Sequence, residues 1–164
     1  MRLYHVSDQP GIARFEPRPA ADGTLKVWAV EERTLANYLL PRECPRVCFR
    51  KSAGRATDLA LLGDAEAMVA IEEAWLQRVQ DAVLYRNEMP AETFVLEDHV
   101  AGYWTSRSAV LPSTTIELRE LPDRIAEAGA RLVAVASLWP LHDRVAESGL
   151  DFSMIRMRNA APRG

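Results

Sequence analysis

The feature that most constrains this chain is how briefly any hydrophobic pattern lasts. Short period-2 runs alternate with short period-3.6 runs from one end to the other. The runs are joined by loops as often as by helices, which is not the strand–helix–strand rhythm of a doubly wound parallel sheet. The pattern predicts an α+β fold: a curved or split, mainly antiparallel sheet with a few flanking helices. Strands are expected at 2–6, 26–30, 46–49, 68–72, 82–89, 113–121, 131–138 and 151–158, with extended segments at 92–100 and 102–108 on either side of Gly102. Helices are expected at 31–40, with acids in the first turn and Pro41 as its stop, and at 73–80. Two more are expected at 121–130 and 139–148, each with an early proline and a late glycine. Residues 8–23 read as a long loop rich in proline and glycine, and 51–67 as loop with one helical turn.

A chain of 164 residues suits one domain and can bury a core without disulfide or metal staples. The expected domain spans residues 1–158, with 159–164 as a frayed tail. Apolar residues at 48% and charged residues at 26% match a soluble globular protein. No apolar run approaches the ~18–20 residues of a membrane helix. His5 and Asp8 interrupt any leader-like pattern, so a cytoplasmic location is expected, with no membrane partner. Twenty cations and 23 anions are dispersed without long runs and leave a net charge of −3. Duplex nucleic acid is therefore not an expected partner, because affinity for it comes mostly from clustered cations. A small anionic ligand, which needs only one or two arginines, stays open.

Cys44 and Cys48 in ECPRVC are not spaced as a redox pair and lack two further ligands for zinc, so no metal is expected. Cys48 reads as a small core residue on a strand and Cys44 as a loop thiol. The common nucleotide, serine-hydrolase and zinc-protease motifs are absent.

The chemistry-bearing residues are few. Of three histidines, His142 belongs to a charged helix face and His99 follows two acids in LEDHV. His5 sits in LYHVS, where alternation puts Leu3, His5 and Ser7 on one strand face and Tyr4 and Val6 on the other. There it either bonds a backbone group from a half-buried position or works at a strand end that opens into a loop. Trp28, Tyr38, Tyr103 and Trp104 are either core or the walls of a site that stacks a flat ring. Arg156 and Arg158, read on one face of the last strand, are either solvated or a phosphate clamp.

LYHVS, VWAVEERTLANYLLPRECPRV, AGYWTSR and FSMIRMRN together resemble a small uncharacterised bacterial family of about this length. More distantly, the chain is similar to ADP-ribosyltransferase-like proteins of the His-Tyr-Glu type. LYHVS matches their first motif, a strand with a histidine before a small hydroxyl residue. Trp28-Ala29 followed by Ala36-Asn37-Tyr38 matches the second. The resemblance implies a nucleotide cleft for NAD or ADP-ribose as the small-molecule partner. In it His5 donates to a ribose, Tyr38 stacks on nicotinamide, and a glutamate bonds the other ribose and stabilises developing positive charge. Gly102 stands where that glutamate is expected. Glu97 and Asp98, five and four residues earlier, are the candidate replacements, requiring the loop to fold back, with Glu97 taken as the catalytic candidate. The ligand-binding set is then Ser7, Trp28, Tyr103, Trp104, Arg156 and Arg158. Two other functions remain open: a non-enzymatic regulatory protein using the cleft as an interface, and a hydrolase or RNA phosphotransferase-like enzyme pairing His5 with His99.

Overall fold

A computed structural model describes residues 1–52 and 56–164. Eleven strands among them form two sheets. Each is fixed by where its apolar side chains point. The larger sheet holds β1 (Leu3–Ser7), β2 (Arg18–Pro19), β3 (Leu25–Glu31), β6 (Leu84–Met89), β7 (Val95–Asp98), β8 (Tyr103–Ser106) and β9 (Thr114–Leu118). Its order is β7-β8-β3-β1-β6-β9, with β2 added to β3, and every pairing is antiparallel. The smaller sheet runs β10-β5-β4-β11, from β4 (Arg46–Arg50), β5 (Ala67–Glu72), β10 (Arg131–Val135) and β11 (Asp151–Ile155). Its one parallel pair is β5 with β10. The architecture is thus α+β, with a split and mainly antiparallel sheet.

Alternation sorts the cores. Tyr4, Val30 and Leu84 of the larger sheet meet Cys48, Val69 and Ile71 of the smaller one in a shared inter-sheet core. Helices α2 (Leu76–Asp81) and α3 (Leu121–Glu127) close one end of it through Val79, Leu121 and Ile125. Leu3, Val27, Ala29 and Met89 point to the far face of the larger sheet, where Phe15 and Val110 of the flanking loops cover them. Val47, Phe49 and Ala70 cover the outer face of the smaller sheet together with Leu138 and Val145 around α4 (Trp139–Ala146). The first strand is internal, so both Leu3 (0% exposed) and Tyr4 (2%) are buried. Among the described residues no helix is long and apolar enough to cross a membrane.

Several expectations are corrected. The helix expected at 31–40 is a 3-10 helix over Glu32–Tyr38, directly continuing β3. With only a few residues between a strand end and Pro41, the backbone takes the tighter i→i+3 turn. Cys44 lies in the loop before β4 as expected but is fully buried, and burial pushes its thiol up to about 11 and that of Cys48 to about 12. The last strand ends at Ile155, because Arg156 turns into the left-handed region at φ 56°. Arg156 and Arg158 therefore do not share a strand face. The helical turn expected within 51–67 is α1 (Ala56–Leu59), while residues 53–55 of that segment lie outside the described residues. The tail makes specific contacts: the Ala161 N–H donates to the buried Glu72 carboxylate at 2.9 Å, and Arg163 makes two bonds to Asp143.

Candidate functional site

The central strands part where the site lies. β1 pairs with β6 along all five residues but with β3 only at Leu3 and Tyr4. β8 meanwhile follows β3 from Val27 to Val30. Beyond Tyr4 the pairing of β1 with β3 stops, β2 pairing β3 only further along at Leu25 and Lys26, and a cavity of about 300 Å³ lies at the parting. Its walls are Tyr4, His5, Val6, Trp28, Ala29, Val30, Tyr38 and Tyr103. The aromatic rings hold one another. Trp28 meets Tyr103 edge-on at 5.3 Å, and Tyr38 lies tilted against Tyr103 at 5.5 Å. Such contacts fix ring orientations beyond the effect of simple burial.

His5 bridges the parted strands. Its Nδ1 lies 2.8 Å from the Trp28 carbonyl oxygen, and its ring packs on Phe15 at 4.6 Å. A carbonyl oxygen only accepts, so Nδ1 carries the hydrogen. Burial, foremost, pushes the ring's pKa below its ordinary value. The bond to Trp28 opposes this, and the charges of Arg18 and Arg42 add to the lowering. The imidazole is therefore neutral near pH 7, with the Nε2 lone pair free of any partner among the described residues. Behind the strand, Asn87 (1% exposed) donates to the His5 carbonyl at 3.1 Å and accepts from Thr115 at 2.7 Å, which pins the backbone that carries His5.

Tyr38 is placed by a buried cation. Arg46 (2% exposed) donates to the carbonyls of Asn37 at 2.9 Å, Pro41 at 2.7 Å and Cys44 at 2.9 Å. It thereby ties the end of the 3-10 helix to β4. The Tyr38 hydroxyl is buried without a hydrogen-bond partner. Desolvation, then the nearby Tyr103 phenol, push its pKa well above the ordinary tyrosine value. Tyr103 is close enough to act electrostatically, but the two hydroxyls do not meet hydrogen-bond geometry. An apolar cavity with aromatic walls and one neutral imidazole acceptor is suited to a flat ring with a few polar edges.

A family model described as a family of unknown function (DUF6886) matches residues 4–160. The chain belongs to that family. No curated protein and no solved structure matches it. The stretch matched to DUF6886 contains all eight cavity residues.

The structure brings four of the sequence-derived site residues together in this DUF6886 chain: His5, Trp28, Tyr38 and Tyr103. The others lie elsewhere. Trp104 points to the opposite sheet face and packs with the Leu3–Phe15 cluster, as neighbours on a strand must. Ser7 accepts from the Gln9 N–H at 3.0 Å in the following turn. Glu97 does not fold back to the cavity. Its oxygens are held by Lys26 at 2.7 Å and Thr105 at 3.0 Å, and these bonds lower its pKa. Arg158 sits 3.7 Å from Glu43, and neither it nor Arg156 lines the cavity. His99 belongs to the hairpin turn, where its carbonyl accepts from Arg33 at 2.6 Å, away from His5. His142 bonds Asp143 at 2.9 Å beside Trp139.

Gly102 has φ +67°, and a Cβ there would overlap Thr34 Oγ1 and come within 2.9 Å of Glu31 Cγ. A side chain at this position would force Thr34 and Glu31 to shift as well as straining the backbone. Sequence reasoning missed Tyr4 and Val6 as cavity walls. It also missed Arg46, whose only signal was a cation opening an otherwise apolar strand.

Proposed function

We propose that this cleft binds a nucleotide of the NAD or ADP-ribose type and does so without transferring ADP-ribose. The observation that carries the reading is the pairing of an aromatic-walled cavity with a neutral His5 whose Nε2 lone pair is free. Trp28, Tyr38 and Tyr103 supply the faces for a planar ring, worth about 0.5–1.5 kcal/mol per good aromatic contact beyond area. His5 accepts a hydrogen from a ribose hydroxyl, reversing the donor role that the family resemblance implies, because its N–H is already spent on Trp28. A cavity of about 300 Å³ is at the small end for ligand sites, so it takes one ring of a dinucleotide and leaves the rest outside.

Binding without transfer follows from charge. Cleaving the glycosidic bond of NAD builds positive charge on the ribose, and none of the eight cavity residues is a carboxylate. A side chain at Gly102 would displace Thr34 and Glu31, and Glu97 is occupied by Lys26 and Thr105. Losing one such stabilising group costs about 2.7–4 kcal/mol of barrier.

The test is thermal unfolding with NAD and ADP-ribose. At a hundred times Kd, a ligand adds ~2.7 kcal/mol of stability, on the order of 5–10 °C in Tm for a chain of this size. His5→Ala and Tyr38→Ala are expected to abolish the shift, and nicotinamide release from NAD is expected to stay at the uncatalysed rate. Absence of a shift with either ligand at millimolar concentration rejects the reading.

A further inference from the structure

We infer that the ligand held in this cleft carries a phosphate-type anion and that Arg86 on β6 receives it. This rests on the reading of the cleft as a nucleotide site and names the part of the ligand left outside the cavity. The register of β1 with β6 sets Arg86 directly opposite Val6, and Tyr4 opposite Glu88. Directly opposed residues project to the same face of a sheet. Arg86 therefore rises on the face that holds the cavity walls Tyr4 and Val6. Its guanidinium lies 4.9 Å from the centre of the Tyr4 ring, held by a cation–π contact at the cavity's border.

Arg86 combines this contact to a cavity wall with the lack of an anionic partner. Other arginines of the chain are neutralised, Arg119 by Glu117 at 2.6 Å and Arg163 by Asp143 at 2.8 Å. Arg86 makes no ion pair or hydrogen bond through its guanidinium among the described residues. Two further cations, Arg18 and Arg42, lie near enough to His5 to be felt by it and are likewise without an ion pair among the described residues. The acid sharing the Arg86 face is Glu88, and its field, with that of Glu32, falls on Arg2. The cavity lining itself contains no cation. The separation is therefore clean: an apolar aromatic slot for a ring, and an unpaired guanidinium at its border for an anion. A guanidinium stacked on a ring keeps its edge N–H donors available for two parallel bonds to phosphate oxygens.

The experiment compares wild type, Arg86→Gln, Arg86→Lys and Arg158→Gln by calorimetric titration with adenosine, AMP, ADP-ribose and pyrophosphate alone, with circular dichroism to check each fold. AMP and ADP-ribose are expected to bind wild type roughly tenfold or more tighter than adenosine, the range of a charge-assisted bond. Arg86→Gln is expected to erase that preference and leave adenosine affinity unchanged. Arg86→Lys should restore part of it, and Arg158→Gln should behave as wild type. Arg86→Gln that folds and keeps the phosphate preference overturns the assignment. Pyrophosphate separates the two readings. If neither nucleoside nor nucleotide binds, yet pyrophosphate binds wild type and not Arg86→Gln, the anion site stands and the nucleotide reading fails. If pyrophosphate and the nucleotides all ignore Arg86, the anion site fails.

Discussion

Replacing Gly102 by alanine tests the crowded position where the glutamate was expected. Two costs add. A non-glycine residue at φ +67° pays about 1–2 kcal/mol for its left-handed backbone. The new methyl also overlaps Thr34 Oγ1 and approaches Glu31 Cγ to 2.9 Å, and Thr34 is only 1% exposed, so it has little room to move. Overpacking of this kind costs about 1–3 kcal/mol. The sum is ~2–5 kcal/mol, or a fall in Tm on the order of 5–15 °C for a chain of this length. Gly11 supplies the control, because it has the same φ of +67° and nothing lies within 4 Å of where its added methyl would stand. Gly11→Ala should therefore show the backbone share alone. The assay is urea unfolding followed by circular dichroism, with scanning calorimetry for Tm. If Gly102→Ala loses no more stability than Gly11→Ala, the close approach of Thr34 and Glu31 is wrong. The conclusion that a side chain at 102 would displace them then falls with it. Gly102→Glu is expected to unfold more readily still and to gain no transferase activity.

Two further outcomes follow from buried groups. Burial holds the folded-state pKa of His5 below its ordinary 6.5, so the unfolded chain takes up this proton first. The stability from His5 is complete above pH 6.5 and declines as pH falls through that value toward the folded pKa. Urea midpoints measured from pH 8 to pH 5 should show wild type losing ground relative to His5→Gln, and parallel pH profiles would refute the neutral-histidine assignment. Arg46→Met removes the buried donor shared by the carbonyls of Asn37, Pro41, Arg42 and Cys44 and should cost about 3 kcal/mol or more. An unchanged urea midpoint would show that Arg46 is not the clasp.

Much of the fold was legible because local side-chain periodicity has a direct structural cause. LYHVS alternates between two buried faces, and Leu3 and Tyr4 do enter two different cores. Pro122 and Pro140 near helix starts, with Gly129 and Gly149 beyond the ends, bounded α3 and α4 to within a few residues. Tyr103 and Trp104 were both read as cleft walls, although adjacent strand residues face opposite ways, and only Tyr103 lines the cavity. The short 3-10 helix was misread as a longer helix because helical apolar spacing does not distinguish i→i+3 from i→i+4 turns over so few residues.

The sequence by itself pointed to the class of the fold, the alternating faces of most of its strands, and a wider set of candidate residues that includes His5, Trp28, Tyr38 and Tyr103 beside Ser7, Glu97, Trp104, Arg156 and Arg158. Only the tertiary structure decided which of them meet. Strand pairing is a contact between segments far apart in the chain. No local pattern records that β1 leaves β3 after Tyr4, that Glu97 is taken by Lys26, or that Arg86 lands opposite Val6. The tautomer of His5 belongs to the same class, because it depends on a carbonyl 23 residues away that comes within 2.8 Å only when the strands are in register.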